Sequence, residues 1–111
     1  MTSRESKGRR PSAVVWINER HAIVARTEGD DTISMAEIDR GAEAETLYLA
    51  HVVHEVGNRE RLMIVGPSPV RLALEREYVA ISHRPDRLVA VPRSVREGGA
   101  EIVDRLRRLA A

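Results

Sequence analysis

The spacing of apolar residues in this 111-residue chain changes period near residue 44, and that change dictates the class of fold. Before it, apolar residues come in short β-branched runs or alternate with polar ones. The segments are Ala13-Val14-Val15-Trp16-Ile17-Asn18, Ala22-Ile23-Val24-Ala25-Arg26-Thr27 and Thr32-Ile33-Ser34-Met35-Ala36-Glu37-Ile38-Asp39. Continuous runs suit strands buried on both faces, and alternation suits a strand with one wet face. The links Glu19-Arg20-His21 and Gly29-Asp30-Asp31 are short, and Gly and Asp tolerate the backbone angles of a reversal. Together these segments predict an antiparallel meander of three strands.

After residue 44 the period becomes helical. Leu49, Val52, Val53 and Val56 share one face of a helix over 44–56, with His51, His54 and Glu55 opposite and Gly57 as its stop. Arg61-Leu62-Met63-Ile64-Val65-Gly66 reads as a fourth, buried strand. Ser68 and Pro69 take N-cap and first-turn positions of a second helix, with Val70, Ala73, Leu74, Tyr78 and Ile81 as its apolar stripe. His83-Arg84-Pro85-Asp86 closes that helix, and Leu88-Val89-Ala90-Val91-Pro92 predicts a fifth strand. Ser94 and Glu97 have capping-box spacing for a third helix through Ile102, Val103, Leu106 and Leu109, with Gly98-Gly99 weakening its first turn.

The order β-β-β-α-β-α-β-α predicts an α/β fold of three layers, a mixed five-stranded sheet with helices on both faces. Right-handed crossovers place the fourth strand beside the first and the fifth outside it. The expected strand order is therefore 3-2-1-4-5, the ribonuclease H-like arrangement. Residues 1–11 read as a flexible basic arm ending at Pro11, and residues 12–111 as a single domain.

Composition narrows the chemistry. Aromatic residues make up 3%, namely Trp16, Tyr48 and Tyr78 with no Phe, so the core must be aliphatic. The absence of Cys removes disulfides, thiolate metal ligands and cysteine nucleophiles together. No apolar run approaches the ~20 residues that cross a bilayer, and the polar opening segment lacks the apolar stretch of a secretory signal. A cytoplasmic location without membrane contact is the expectation.

Candidate catalytic groups do not assemble. A ribonuclease H-like nuclease needs carboxylates converging on the middle strands to hold two metal ions. The central run Val14-Val15-Trp16-Ile17-Asn18 carries none, while Asp30, Asp31, Glu37, Asp39, Glu43 and Glu45 fall in turns, at a strand end and at a helix start. His51-Val52-Val53-His54-Glu55 matches neither helical zinc pattern, so no metal is assigned and no cofactor is implied. Gly66 and Ser68 lie at a strand–turn–helix junction of the kind that attracts anions, but Pro67 and Pro69 delete two N–H donors. A tight turn with a helix cap is the favoured reading there. Ser68 lacks the G-x-S-x-G setting of a nucleophile.

The charges are segregated. The formal net charge is +1, distributed as +3 over residues 1–10, −6 over 11–55 and +4 over 56–111, and Lys7 is the only lysine. Arg9 and Arg10 in the arm, with Arg84, Arg87 and Arg93 around the predicted fifth strand, are the candidate phosphate contacts. Arg96 is near them, and Arg105, Arg107 and Arg108 crowd the end of the last helix, where they also complement its dipole. These segments hold no aromatic residue on which a base would stack, which favours backbone contact over base reading.

Three segments carry a family resemblance. Val14-Val15-Trp16-Ile17-Asn18-Glu19-Arg20-His21-Ala22 resembles the "V-V-W-I-D-x-R-x-A" opening of small bacterial translational-machinery-component-like proteins. The run from Ile64 through Gly66, Pro67 and Leu74 resembles their "I-V-G-P-x-x-x-r-x-x-L" strand and helix, and Leu88-Val89-Ala90-Val91 falls where their last strand lies. Those proteins are similar to the middle domain of eukaryotic- and archaeal-type peptide chain release factors, a ribonuclease H-like fold. The likeness covers roughly residues 13–110. Asn18 stands where the pattern usually has Asp, and Gly98-Gly99-Ala100 does not replace the missing catalytic Gly-Gly-Gln, so peptidyl-tRNA hydrolysis is not implied.

What the resemblance and the charges imply is a non-enzymatic, translation-associated binding module that contacts the ribosome or structured RNA through arginines. The alternative is a protein–protein module or homodimer in which the acidic segment meets the basic ones without nucleic acid.

Overall fold

Alternate side chains of every interior strand go to opposite faces of one sheet, and each face is covered by helix. The computed structural model describes residues 11–27, 32–89 and 99–110. The strands are β1 (Ser12–Ile17), β2 (His21–Thr27), β3 (Ile33–Asp39) and β4 (Arg61–Val65). The helices are α1 (Glu45–Val56), α2 (Ser68–Ser82) and α3 (Gly99–Ala110), with a single 3₁₀ turn at Pro85–Arg87. Ala13, Val15 and Ile17 of β1, with Ala22, Val24, Leu62 and Ile64, pack against Leu49, Val52 and Val56 of α1 and Val70, Leu74 and Tyr78 of α2. Val14 and Trp16, with Ile23, Ala25, Met63 and Val65, face Ile102, Leu106 and Leu109 of α3. This is an α/β fold of three layers, and the core is mainly aliphatic but, unlike the expected purely aliphatic one, also takes in Tyr48, Tyr78 and Trp16.

The sheet order is β3-β2-β1-β4. β1 runs antiparallel to β2 and parallel to β4, pairing Val15 with Val24 on one side and with Ile64 on the other. β3 closes the other edge, antiparallel to β2, and its exposed Met35, Glu37 and Asp39 alternate with half-buried Ala36 and Ile38.

The expected five-stranded order does not match: the sheet has four strands among the described residues. Leu88, which belongs to no strand, makes one isolated parallel bridge to Leu62 of β4, and the Val89 N–H donates to the Leu62 carbonyl at 2.9 Å. One bridged pair is not a strand, and residues 90–92 of the predicted strand lie outside the described residues, as do Ser94 and Glu97. The second helix also begins differently. Ser68 is its first residue rather than its cap: Pro67 holds the cap position, and its carbonyl accepts from the Arg71 N–H at 3.0 Å. Ile81, expected in the buried stripe of that helix, is 51% exposed, because the last turn of α2 runs past the layer it covers.

Gly66 is required where it stands. Its φ is +129°, and a Cβ there would collide with the Ile17 backbone carbonyl oxygen. The end of β4 can lie against the end of β1 only without a side chain at this position.

Candidate nucleic-acid interface

The two ends of the sheet carry different sets of charged side chains. Where β1 and β4 finish, the surface carries Glu19, Asp39, Glu43 and Glu45 with Arg20 and Arg40. The reversal from β1 to β2 is fixed there by Asn18, whose Oδ1 accepts the backbone N–H groups of Arg20 (2.7 Å) and His21 (2.8 Å). An Asx turn of this type satisfies the reversal locally. Arg40 Nε donates to the Glu43 carbonyl at 2.8 Å, which closes the link into α1. His51 Nδ1 lies 3.2 Å from Glu43 Oε1, and His54 is exposed. No group of three or more metal-binding side chains occurs among the described residues.

The opposite end, where β1 and β4 begin, carries exposed Glu60 and gathers arginines from three separate stretches of sequence. The Pro11 carbonyl accepts from the Glu60 and Arg61 N–H groups, at 2.7 and 3.3 Å, so residues 1–10 join the fold here. Arg61, the first residue of β4, sends its guanidinium to the Leu109 carbonyl in the last turn of α3 at 2.8 Å. Arg87, at the end of the 3₁₀ turn, donates to the Asn58 side-chain oxygen at 2.9 Å. Arg107 is exposed in the last turn of α3.

The partners decide how much of that charge is available. Arg61 and Arg87 donate to neutral oxygens, and neither they nor Arg107 has a carboxylate partner among the described residues. A guanidinium on a neutral acceptor keeps its full unit of charge. Arg84, by contrast, grips Asp86 with Nε on Oδ1 at 3.0 Å and Nη2 on Oδ2 at 2.8 Å. Arg108 pairs with Asp104 at 2.8 Å, and Arg26 with Glu55 at 2.8 Å.

Of the residues singled out from sequence, Arg84 and Arg87 therefore share one turn, with Arg84 neutralised and Arg87 not. Arg9, Arg10 and Arg93 lie outside the described residues. Gly66 and the backbone of Ser68 lie at the other end of the sheet, apart from these arginines, and the Gly66 conformation is accounted for by its contact with Ile17. Arg61 goes unmarked in the sequence, because a residue opening an apolar strand gives no sign that a helix end will come to it. Asp86 was open to sequence reading, since Arg84-Pro85-Asp86 places two opposite charges either side of a turn-forming proline.

No helix among the described residues is long and apolar enough to cross a membrane. No family model matches the chain, and no curated protein matches it significantly. Among solved structures the fold is similar to that of Pelota from Archaeoglobus fulgidus, with a TM-score of 0.65 at 14% identity. The match covers 96% of this chain and 33% of the Pelota chain, so this chain spans about a third of that protein. The fold is Pelota-like.

Proposed function

We propose that this domain is a non-enzymatic binding module of the translation machinery, holding ribosomal or other structured RNA by its phosphates. The contact is the end of the sheet where β1 and β4 begin. The observation that carries this reading is that Arg61, Arg87 and Arg107 all lie at that end with no carboxylate partner among the described residues, next to Pro11, which follows the basic residues 1–10. Unpaired guanidinium groups on one surface are what phosphate-backbone binding requires. Arg9, Arg10 and Arg93 complete the proposed contact set.

The Pelota-like fold supports a translation-related setting, and so do the two motifs shared with relatives of the release-factor middle domain. On this reading residues 13–110 correspond to that middle domain. Because Gly-Gly-Gln is missing, the role is attachment rather than peptide release.

The test is co-sedimentation of the protein with ribosomes through sucrose cushions at low and high salt. Pelleting at low salt and release at high salt is expected, since phosphate contacts release counterions. Absence from the pellet at both salts, or equal pelleting at both, overturns the reading.

The segregation of charge along the sequence, −6 over residues 11–55 against +4 over 56–111, favours a second reading, head-to-tail self-association without RNA. Sedimentation equilibrium separates the two. A strict monomer across micromolar concentrations removes the self-association reading.

A further inference from the structure

The two arginines of one turn are treated in opposite ways, and the difference has a consequence for affinity. Arg87 donates to the neutral Asn58 amide oxygen, whereas Arg84 presents two donors in parallel to both oxygens of Asp86. Two parallel N–H···O bonds are also the geometry in which arginine takes a phosphate. The carboxylate thus sits where a phosphodiester oxygen pair would sit.

We propose that Asp86 is a built-in competitor for RNA phosphate: its carboxylate occupies the guanidinium fork of Arg84 and thereby lowers the affinity and salt sensitivity of this end for RNA. The proposal rests on the RNA-binding reading given above.

The surroundings of the pair support it. The pair is open to solvent, with side chains 50% and 63% exposed, so an incoming phosphate can reach the fork. An exposed ion pair adds little to fold stability, so stability alone gives small reason for it. The backbone also holds the two residues in place before their side chains meet. The Arg84 N–H donates to Ser82 Oγ at 3.1 Å, the Arg87 N–H to the Arg84 carbonyl at 3.2 Å, and the Leu88 N–H to the Pro85 carbonyl at 3.1 Å. Both partners are charged at neutral pH: the Arg84 hydrogen bond holds the Asp86 carboxyl below its usual range, and Asp86 pushes the Arg84 guanidinium up. Asp104 likewise holds an exposed guanidinium, that of Arg108 one helical turn on in α3, through a single contact of 2.8 Å.

The experiment is fluorescence anisotropy of a labelled RNA hairpin titrated with wild type, Asp86→Asn, Arg84→Gln and the double variant across a salt series. Circular dichroism melts accompany each variant to establish that it is folded. Asp86→Asn keeps the side-chain shape and removes the charge, which frees Arg84 for one more phosphate. It is expected to tighten binding roughly five- to tenfold at ~0.1 M salt and to steepen the plot of log K against log salt by about one. In the Arg84→Gln background the same change is expected to give at most about a twofold gain, because no fork remains to be freed. If wild type binds but Asp86→Asn binds no tighter, or gains equally without Arg84, the competitor role is overturned while the RNA reading stands. If neither wild type nor Asp86→Asn binds the hairpin at low salt, the RNA reading falls and the competitor role with it.

Discussion

The buried hydroxyl of Tyr48 donates to the backbone carbonyl of Asn18, 3.0 Å away, and so pins α1 to the reversal between β1 and β2. Tyr48 is fully buried, and that burial pushes its phenol up to about 12, with Arg40 lowering and Asp39 raising it by smaller amounts. The fold therefore favours the protonated phenol. In the unfolded chain the group titrates near its ordinary 10.0, so between pH 10 and about 12 the unfolded state binds fewer protons. Stability from this group is full below pH 10 and falls across that window by up to ~2 kcal/mol. Urea denaturation from pH 9 to 12 should show this fall, and Tyr48→Phe should lack it while losing about 1 kcal/mol at neutral pH. A fall of the same size in Tyr48→Phe would assign the effect to another group.

Asn18 gives a sharper contrast. Its Oδ1 accepts two backbone N–H groups, and a carboxylate oxygen accepts the same pair. Asn18→Asp, the residue usual in the resembling family, is expected to change stability by less than about 0.5 kcal/mol. Asn18→Ala, which leaves both donors to water, should cost about 1 kcal/mol in thermal or chemical denaturation. Equal costs for the two substitutions would refute the turn role.

At Gly66 two penalties coincide. Gly66→Ala would have to adopt a φ of +129° and push the Ile17 carbonyl aside. The expected loss exceeds about 2 kcal/mol, from strain and displaced packing in the central strand. Gly41, whose φ of +58° meets nothing within 4 Å, is the control. Gly41→Ala should cost less, about 1 kcal/mol, from backbone strain alone. Similar losses at the two sites, measured by urea denaturation, would remove the close-contact explanation.

α3 is held to the sheet by Ile102, Leu106 and Leu109, all facing Val14, Trp16 and Met63. Leu106 is fully buried, and Leu106→Ala should cost ~2–5 kcal/mol by the cavity it leaves. Hydrogen exchange should show the loss as opening of α3 ahead of the α1–α2 face. Uniform opening of both faces would mean that the two cores unfold as one.

The layers are legible in the sequence through period alone. Val14 and Trp16 go to one face and Ala13, Val15 and Ile17 to the other, as a strand period of two demands. Helix faces are legible for the same reason, since Leu49, Val52, Val53 and Val56 are all buried. Edges are less so. Leu88 and Val89 have strand-forming side chains, yet one bridge to Leu62 is all the pairing described, because β propensity carries no information about how far a partner extends. Ile81 has the right angle on its helix, but a helical wheel does not record where the underlying layer ends. The arginine end is legible only in fragments. Arg61, Arg87 and Arg107 come from β4, the turn after α2 and α3, and only the parallel pairing of β1 with β4 and the docking of α3 bring them to one end. Which of the arginines keep their charge depends on a further layer of interactions, Asp86 on Arg84 and Asp104 on Arg108.

Binding of ribosomal or structured RNA by the arginine end is decided by comparing ribosome co-sedimentation of charge variants at the two ends. The variants are Arg87→Gln combined with Arg107→Gln at one end, and Glu19→Gln combined with Glu45→Gln at the other. The arginine pair is expected to weaken low-salt pelleting and to flatten its salt dependence by about two, one for each guanidinium removed from a phosphate. The glutamate pair should keep the salt dependence of wild type. Wild-type pelleting by the arginine variant, with an unchanged salt dependence, would contradict the claim.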